Sequence, residues 1–464
     1  MKRVDAYHLV VEKHGAMQVD ATIIASEAIQ VEEDAVLQLE AAASLPTVAR
    51  VVATPDIHIG FGVPIGCVAG VKDYIVPAAV GYDINCGMRI VRTPFEAKGV
   101  DIEKLAYSFR RDIPLGEGKR NVRLSKEDLR KVLAEGLRGL RKIRVQHERL
   151  REGLSREELD EDIEHAEEGG SMEGDPDAVS SHAMDRGQAQ LGTLGGGNHF
   201  IEIQRVDRIE DEKVARRFGL FEGQLVVMIH SGSRGLGHQV CTDSIRKGPA
   251  IPSIGGTLRY LHADSEDGKR YAGAMRAAAN YAFANRQFLA ALVRINIRRA
   301  LGEVELPIVY DVPHNMAKLE DGPLGKLWVH RKGATRAFPA ERMKGTEYED
   351  VGQPVLIPGS MGTASYVLVG TREAEATLYS VNHGAGRVMS RTAARGRKGR
   401  GAAISDEEFR ESMKGVLLLA ENLYEAKEEA PAAYKDIDAV IDSVVGAGLA
   451  RAVARMVPLA VLKG

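Results

Sequence analysis

Asp83 and Cys86 stand three residues apart in Gly81-Tyr82-Asp83-Ile84-Asn85-Cys86-Gly87, at the end of an apolar run and between glycines. A thiolate and a carboxylate leaving one turn can both reach a divalent cation, and the glycines let the backbone bend close to it. Four histidines share a second pattern. His199 follows Gly195-Gly196-Gly197-Asn198, and His230 follows the apolar run 225–229 and opens His230-Ser231-Gly232-Ser233-Arg234-Gly235. His314 follows 306–312 in Pro313-His314-Asn315, and His383 follows 377–381 and opens His383-Gly384-Ala385-Gly386-Arg387. Each is predicted at the end of a short strand, beside a turn or Gly-rich loop, where strands from distant segments converge to build sites. Imidazole, carboxylate and thiolate are metal donors. The histidines outnumber what one tetrahedral ion requires, which leaves one free as a nucleophile or acid/base. Asp56 and His58, two apart on one side of an extended segment, can join them.

Two Gly-containing loops, 192–197 and Pro358-Gly359-Ser360-Met361-Gly362-Thr363, have the form of phosphate cradles, whose amides point at oxygens. Arg387, Arg391, Arg395, Arg397, Lys398 and Arg400 crowd behind His383 with no carboxylate from Gly384 to Ser405, a run suited to nucleic-acid phosphates. No Gly-x-x-x-x-Gly-Lys-Ser/Thr motif is present, which excludes a P-loop enzyme. The chemistry indicated is phosphoryl or nucleotidyl transfer on a nucleotide or nucleic acid, with metal assistance. Ligand type leaves the metal open: thiolate with imidazole favours zinc, carboxylate and phosphate favour manganese or magnesium. A metal-dependent phosphoesterase and an RNA-end binding protein with a structural metal are the rival classes.

The elements that must position these groups follow from pattern. Residues 7–11 read as a strand and 31–43 as a helix. The segment 54–87, broken by glycine and proline, reads as tight loops. Ser125-Lys126-Glu127-Asp128 has the form of a capping box, with Leu129, Val132, Leu133, Leu137, Leu140 and Ile143 at helical spacing behind it. The acidic segment 157–177 reads as a mobile loop or linker. Residues 265–301 read as one alanine-rich packing helix ended by Gly302, and a capped helix is predicted after Ser405. The apolar tail 458–464, with its single Lys463, reads as tucked in.

These elements amount to an α+β fold with β-sheets flanked by helices and a metal cleft at the strand ends. With 464 residues, 44% hydrophobic and 27% charged, and a net charge of -3, the chain is an ordinary globular protein and not a wholesale basic one. Three scattered cysteines, Cys67, Cys86 and Cys241, give no disulfide framework. No apolar leader pattern and no apolar run of about 18 residues occurs, so a cytoplasmic, non-membrane protein is expected.

Taken in order with Pro55-Asp56-Ile57-His58, the motifs above resemble the RNA-splicing ligase family RtcB, from about residue 50 to the final lysine. The resemblance implies a single catalytic domain over residues 1–464. It implies an enzyme joining RNA 3′-phosphate or 2′,3′-cyclic phosphate ends to 5′-hydroxyl ends with GTP and two manganese ions. By the same match, Asp83, Cys86, His199, His230 and His314 resemble the metal ligands, Cys86 bridging two ions. His383 resembles the nucleophile that takes GMP, with Asp56 a further catalytic candidate. Asn198, His199, Phe200, Ile201, Glu202, His314, Asn315, Pro358, Gly359, Ser360, Met361, Ser365, His383, Gly384, Ala385, Gly386 and Lys463 resemble the GTP pocket. Transfer-RNA halves or broken RNA ends, an archease-type activator and a monomeric state are the corresponding partner expectations. One departure stands out: Cys67 occupies a position where glycine is expected, small enough to be harmless yet a candidate for oxidation near the site.

Overall fold

The computed structural model describes residues 1–143, 153–254, 256–396 and 401–464. Two large sheets carry the α+β architecture. In the first, seven strands run in the order Lys2–Arg3, His8–Val11, Ala21–Ile24, Val48–His58, Ile65–Val71, Gly325–Lys332 and Asn315–Gly322. The second has the order Ile308–Pro313, Gly87–Glu96, Gln224–Ser231, Phe200–Ile209, Ala450–Lys463, Ser365–Gly370 and Pro354–Ile357, with Leu417–Ala420 added in parallel on Ala450–Lys463. His314 is the single residue between the last strand of one sheet and the edge strand of the other. The ends of both sheets therefore meet where it stands.

The central strand Gln224–Ser231 is buried along its whole length because both faces of the sheet are covered. Leu225, Val227 and Ile229 enter one core cluster while Val226 and Met228 enter another. Behind the first of these faces lies the helix Glu266–Leu301, 36 residues long and buried over most of its length. A helix buried on every side carries its polar side chains, among them Asn280, Asn285, Arg286 and Arg294, into the core, where they must find partners. Ser265 caps its start, and Gly302 ends it at φ 99°. The expected caps at Ser125 and Ser405 are also formed, the latter as a full capping box. No helix among the described residues is long and apolar enough to cross a membrane.

Four expectations need correction. The segment 54–87 is not all loop: the strand Val48–His58 runs through residues 54–58 and Ile65–Val71 is a second strand within it, and Pro55 is accommodated because the pairing of the two shifts register between Ala53 and His58. The acidic segment is not a linker. It forms the helix Arg156–Glu164 and a short turn, and it buries Asp162 and Glu167 against arginines and lysines from distant strands and helices. Before His383 the strand is shorter than expected, Ser380–Asn382, since Leu378 and Tyr379 both take φ 52° after a 3-10 turn. Cys67 is fully enclosed in Ile65–Val71, and burial pushes its thiol up to about 12, which removes it as an oxidation site.

Candidate functional site

The Asp83–Cys86 turn enters the strand Gly87–Glu96, whose first residue pairs with Ser231 on one side and Pro313 on the other. Phe200 pairs with His230 in turn. The strand-end pattern thus brings Cys86, His199, His230 and His314 together. Cys86 Sγ lies 3.3 Å from His199 Nε2 and 3.2 Å from His230 Nε2. His230 Nε2 is 3.3 Å from His314 Nε2, and His199 Nε2 is 2.8 Å from Asp83 Oδ2. The donor atoms form two groups sharing one sulfur: Asp83, Cys86, His199 and Cys86, His230, His314.

Local chemistry fixes these donors. Asn85 adopts φ 55°, which turns the chain so that Asp83 and Cys86 face the same side. Asp83 Oδ1 accepts from the Ser233 N–H at 3.0 Å, across Gly232, where a Cβ would stand 2.4 Å from that carboxylate. The Nδ1 atoms of His230 and His314 have no partner among the described residues, and their Nε2 lone pairs point into the cluster. Burial holds all three imidazoles below the ordinary histidine value, so they are neutral donors. Burial and the charge of Asp83 raise the Cys86 thiol well above its usual value, a state that a bound divalent cation reverses. Converging nitrogens, sulfur and carboxylate without enough protons to pair them form a donor set that a divalent cation would satisfy.

Sequence reasoning missed what lies behind. Arg286, fully buried on the long helix, donates through Nη1 to Asn85 O at 2.7 Å and Ser231 O at 3.0 Å, and through Nη2 to Asn85 Oδ1 at 2.9 Å and Asp311 Oδ1 at 2.7 Å. One guanidinium therefore ties the Asp83–Cys86 turn to the strands bearing His230 and His314. Arg89 also reaches Asp311 at 2.7 Å, and Arg294 pairs with Asp162. Nothing in the spacing of these residues signals their meeting.

His383 stands beside the cluster, its ring centroid 4.9 Å from that of His314. Its Nδ1 donates to Asp56 Oδ2 at 2.6 Å, and the His383 backbone N–H donates to the same oxygen at 3.0 Å. Thr54 Oγ1 donates to Asp56 Oδ1 at 2.5 Å. Burial alone would raise the Asp56 carboxyl, but the charge and hydrogen bonds of His383 and the Thr54 hydroxyl outweigh it and hold it low. This contact needs Gly386, whose Cβ would stand 2.3 Å from Asp56 O. An imidazole that gives Nδ1–H to a carboxylate keeps its Nε2 lone pair exposed.

His383 opens onto a cleft lined by Asn198, Phe200, the 358–361 loop, the 383–386 loop and Lys463. Glu429 and Tyr434, which no motif flagged, line it too. Glu202 lies beneath, its Oε1 without a partner among the described residues, while Gln204 Nε2 bonds both Glu202 at 2.6 Å and Ser365 at 3.0 Å. Burial pushes Glu202 up to about 8 and Lys463 down to about 8. Ile201 faces the core instead, and Asn315 sits behind the cluster, donating to Asp83 O at 3.1 Å. The arginines after His383 are less free than their carboxylate-free run implied: Glu429 pairs with Arg387 at 3.3 Å and Arg391 at 3.2 Å, and Glu428 with Arg395 at 2.8 Å. Arg397, Lys398 and Arg400 lie outside the described residues.

Comparison with protein families matches residues 38–464 to the family described as tRNA-splicing ligase RtcB. The chain belongs to the RtcB family. A relative named tRNA-splicing ligase RtcB from Thermococcus kodakarensis is 44% identical over 492 aligned positions, covering 100% of this chain and 99% of its own. Relatives of the same name from Archaeoglobus fulgidus, 46% identical over 93% of this chain and 92% of its own, and Methanococcus maripaludis, 40% identical over 99% and 98%, are similar over nearly the whole length. Membership of the RtcB family makes the chain an RNA ligase, and the resemblance read from the motifs stands.

Proposed function

We propose that this RNA ligase joins 3′-phosphate or 2′,3′-cyclic phosphate RNA ends to 5′-hydroxyl ends, using GTP and manganese, through a guanylate carried on His383. The observation that carries the reading is the pairing of His383 Nδ1 with Asp56, which leaves Nε2 as a nucleophile on the wall of the cleft shared with Asn198, Phe200, the 358–361 loop and Lys463. Nε2 attacks the α-phosphorus of GTP; a P–N bond forms and pyrophosphate leaves. An oxygen of the RNA 3′-phosphate then takes the guanylate, breaking the P–N bond. The 5′-hydroxyl attacks the RNA phosphorus, and GMP leaves. A cyclic end must first be opened by water. Asp56 acts by holding the ring tautomer and balancing the imidazolium that attack on phosphorus creates. Glu202 and Lys463 suit a guanine, as acceptor for its N–H groups and donor to its carbonyl. Asp83, Cys86, His199, His230 and His314 would hold two manganese ions, with Cys86 shared; bound there, they neutralise phosphate charge and align the reacting oxygens. Transfer-RNA halves are the substrate that the relatives' name supports, and broken RNA ends are chemically equivalent. We also read the chain as one cytoplasmic catalytic domain, active as a monomer, with an archease-type activator as partner.

The test is incubation with α-labelled GTP and manganese, followed by denaturing electrophoresis and peptide mapping. An acid-labile, base-stable label on the peptide containing His383 is expected. In His383→Ala the label is expected to vanish while manganese, measured by inductively coupled plasma analysis, remains. A full-strength adduct in that variant would refute the assignment.

A further inference from the structure

The cluster opens on a second side. A groove holding Asp83 and His199 is lined by five arginines, among them Arg120, Arg123 and Arg186, which outnumber its other carboxylates, Glu117 and Asp185. Arg120 and Arg123 have no carboxylate partner among the described residues. Tyr82 and His238 on its wall belong to an aromatic pile that neither the cluster nor the other cleft uses. Tyr82 and His238 are stacked, with centroids 4.8 Å apart and planes at 25°, and Phe61 leans on Tyr82 at 5.9 Å. Phe61 is 45% exposed and His238 is exposed, so packing alone does not account for the pile.

Its attachment is as informative as its exposure. Tyr82 immediately precedes Asp83. His238 lies on the helix Arg234–Ser244, one turn after Arg234 and on the same face, and Arg234 Nη1 is 3.2 Å from His199 Nδ1. Both ends of the stack are thus fixed to Asp83 and His199. Burial and the charge of Arg186 keep the His238 ring below its ordinary value, neutral and flat-faced at pH 7. Flat rings beside unpaired cations suit a single polyanionic strand with unstacked bases, because every base offers a π-face while the arginines follow its backbone.

We propose that Phe61, Tyr82 and His238 form a base-stacking platform, on which a nucleobase next to the reacting RNA end extends the pile from the exposed face of His238. The proposal rests on the ligase reading for the identity of the strand. It assigns the aromatic pile to positioning RNA and leaves nucleotide binding to the other cleft.

The probe is a short single-stranded RNA with a 3′-phosphate and 2-aminopurine at the terminal or penultimate position, titrated into the full-length chain. Stacking on the platform is expected to quench the fluorophore. His238→Leu and Tyr82→Leu are expected to lose the quench and raise KM for RNA about tenfold. Tyr82→Phe, which keeps the ring, is expected to behave as the parent does. Labelling of the protein by GTP without RNA reports whether the cluster is intact, and it is expected to be unchanged in His238→Leu. Quenching that persists in both leucine variants would overturn the proposal, as would a loss of GTP labelling in His238→Leu equal to its loss of ligation. Quenching needs binding only, so a protein that quenches but never ligates would keep the platform and refute the ligase reading instead.

Discussion

The strands Gly87–Glu96, Gln224–Ser231 and Ile308–Pro313 present two buried polar constellations, one toward the cleft and one toward the long helix. On the helix side Arg89, Arg286, Arg294, Asp162 and Asp311 are fully buried and bonded to one another. On the cleft side Cys86 and the three histidines are as deeply buried, yet His230 and His314 each keep an orphaned nitrogen and their remaining lone pairs converge. In the first set every charge meets an opposite charge of the protein, although Arg89 Nη2 lacks a hydrogen-bond partner among the described residues; the second leaves its charge and proton count incomplete. Burial of polar groups therefore says little by itself about function. What discriminates is whether opposite charges within the chain pair the buried groups.

The sharpest way to break this contrast is Cys86→Ala. It is expected to lose bound manganese entirely by inductively coupled plasma analysis, while metal-free stability changes by only about 1 kcal/mol in urea denaturation. On the other face, Asp311→Asn removes the carboxylate between two buried guanidiniums, and a loss of about 3–5 kcal/mol is expected from the same denaturation curves. If the two variants cost the metal-free protein equally, the distinction between the faces fails.

His330 offers an intermediate case, a buried histidine whose two nitrogens are both engaged. Its Nε2 accepts from the Val76 N–H at 2.9 Å and its Nδ1 donates to Trp328 O at 3.0 Å. Burial lowers it from 6.5 to about 4. The folded value is depressed, so the stability of the neutral ring is present above pH 6.5 and is lost as pH falls through about 4. At about 1.4 kcal/mol per unit, the gap between the pH–stability curves of the parent and His330→Asn is expected to change by about 3 kcal/mol over that window. Smallest is the effect of metal on melting. Manganese at a hundredfold excess over Kd is expected to add about 2.7 kcal/mol for each ion bound to the parent and nothing to Cys86→Ala, by calorimetry.

The open constellation was legible in sequence where the closed one was not. Turn glycines and strand ends flank every histidine of the cluster, because a site must be reached from outside and its backbone must bend. Arg286, Asp311 and Asp162 carry no such punctuation. They sit inside a helix or strand, and their partners come from far along the chain. The acidic stretch 157–177 was misread for the same reason: composition predicts solvation, and only the fold supplies Arg294 and Lys318 to bury Asp162 and Glu167. The arginines after His383 erred the opposite way, since Glu428 and Glu429 arrive from another segment to pair them. Strand and helix identity survived well where period was strong, as in Glu266–Leu301, and failed at Thr54–His58, where a register shift lets Pro55 remain in a strand.

The strand Ala450–Lys463 lies in the middle of its sheet, between Phe200–Ile209 and Ser365–Gly370. On a ribosome this has a consequence for timing. The histidine-bearing strands can pair while synthesis proceeds, but the slot between these two neighbours stays vacant until residues past 450 have emerged. Until then the nascent chain displays two raw sheet edges, a template for wrong pairing that favours protection by chaperones. Lys463 reaches the cleft after its other walls, so a half-made chain can bring Cys86 and the three histidines together before the cleft beside them is complete.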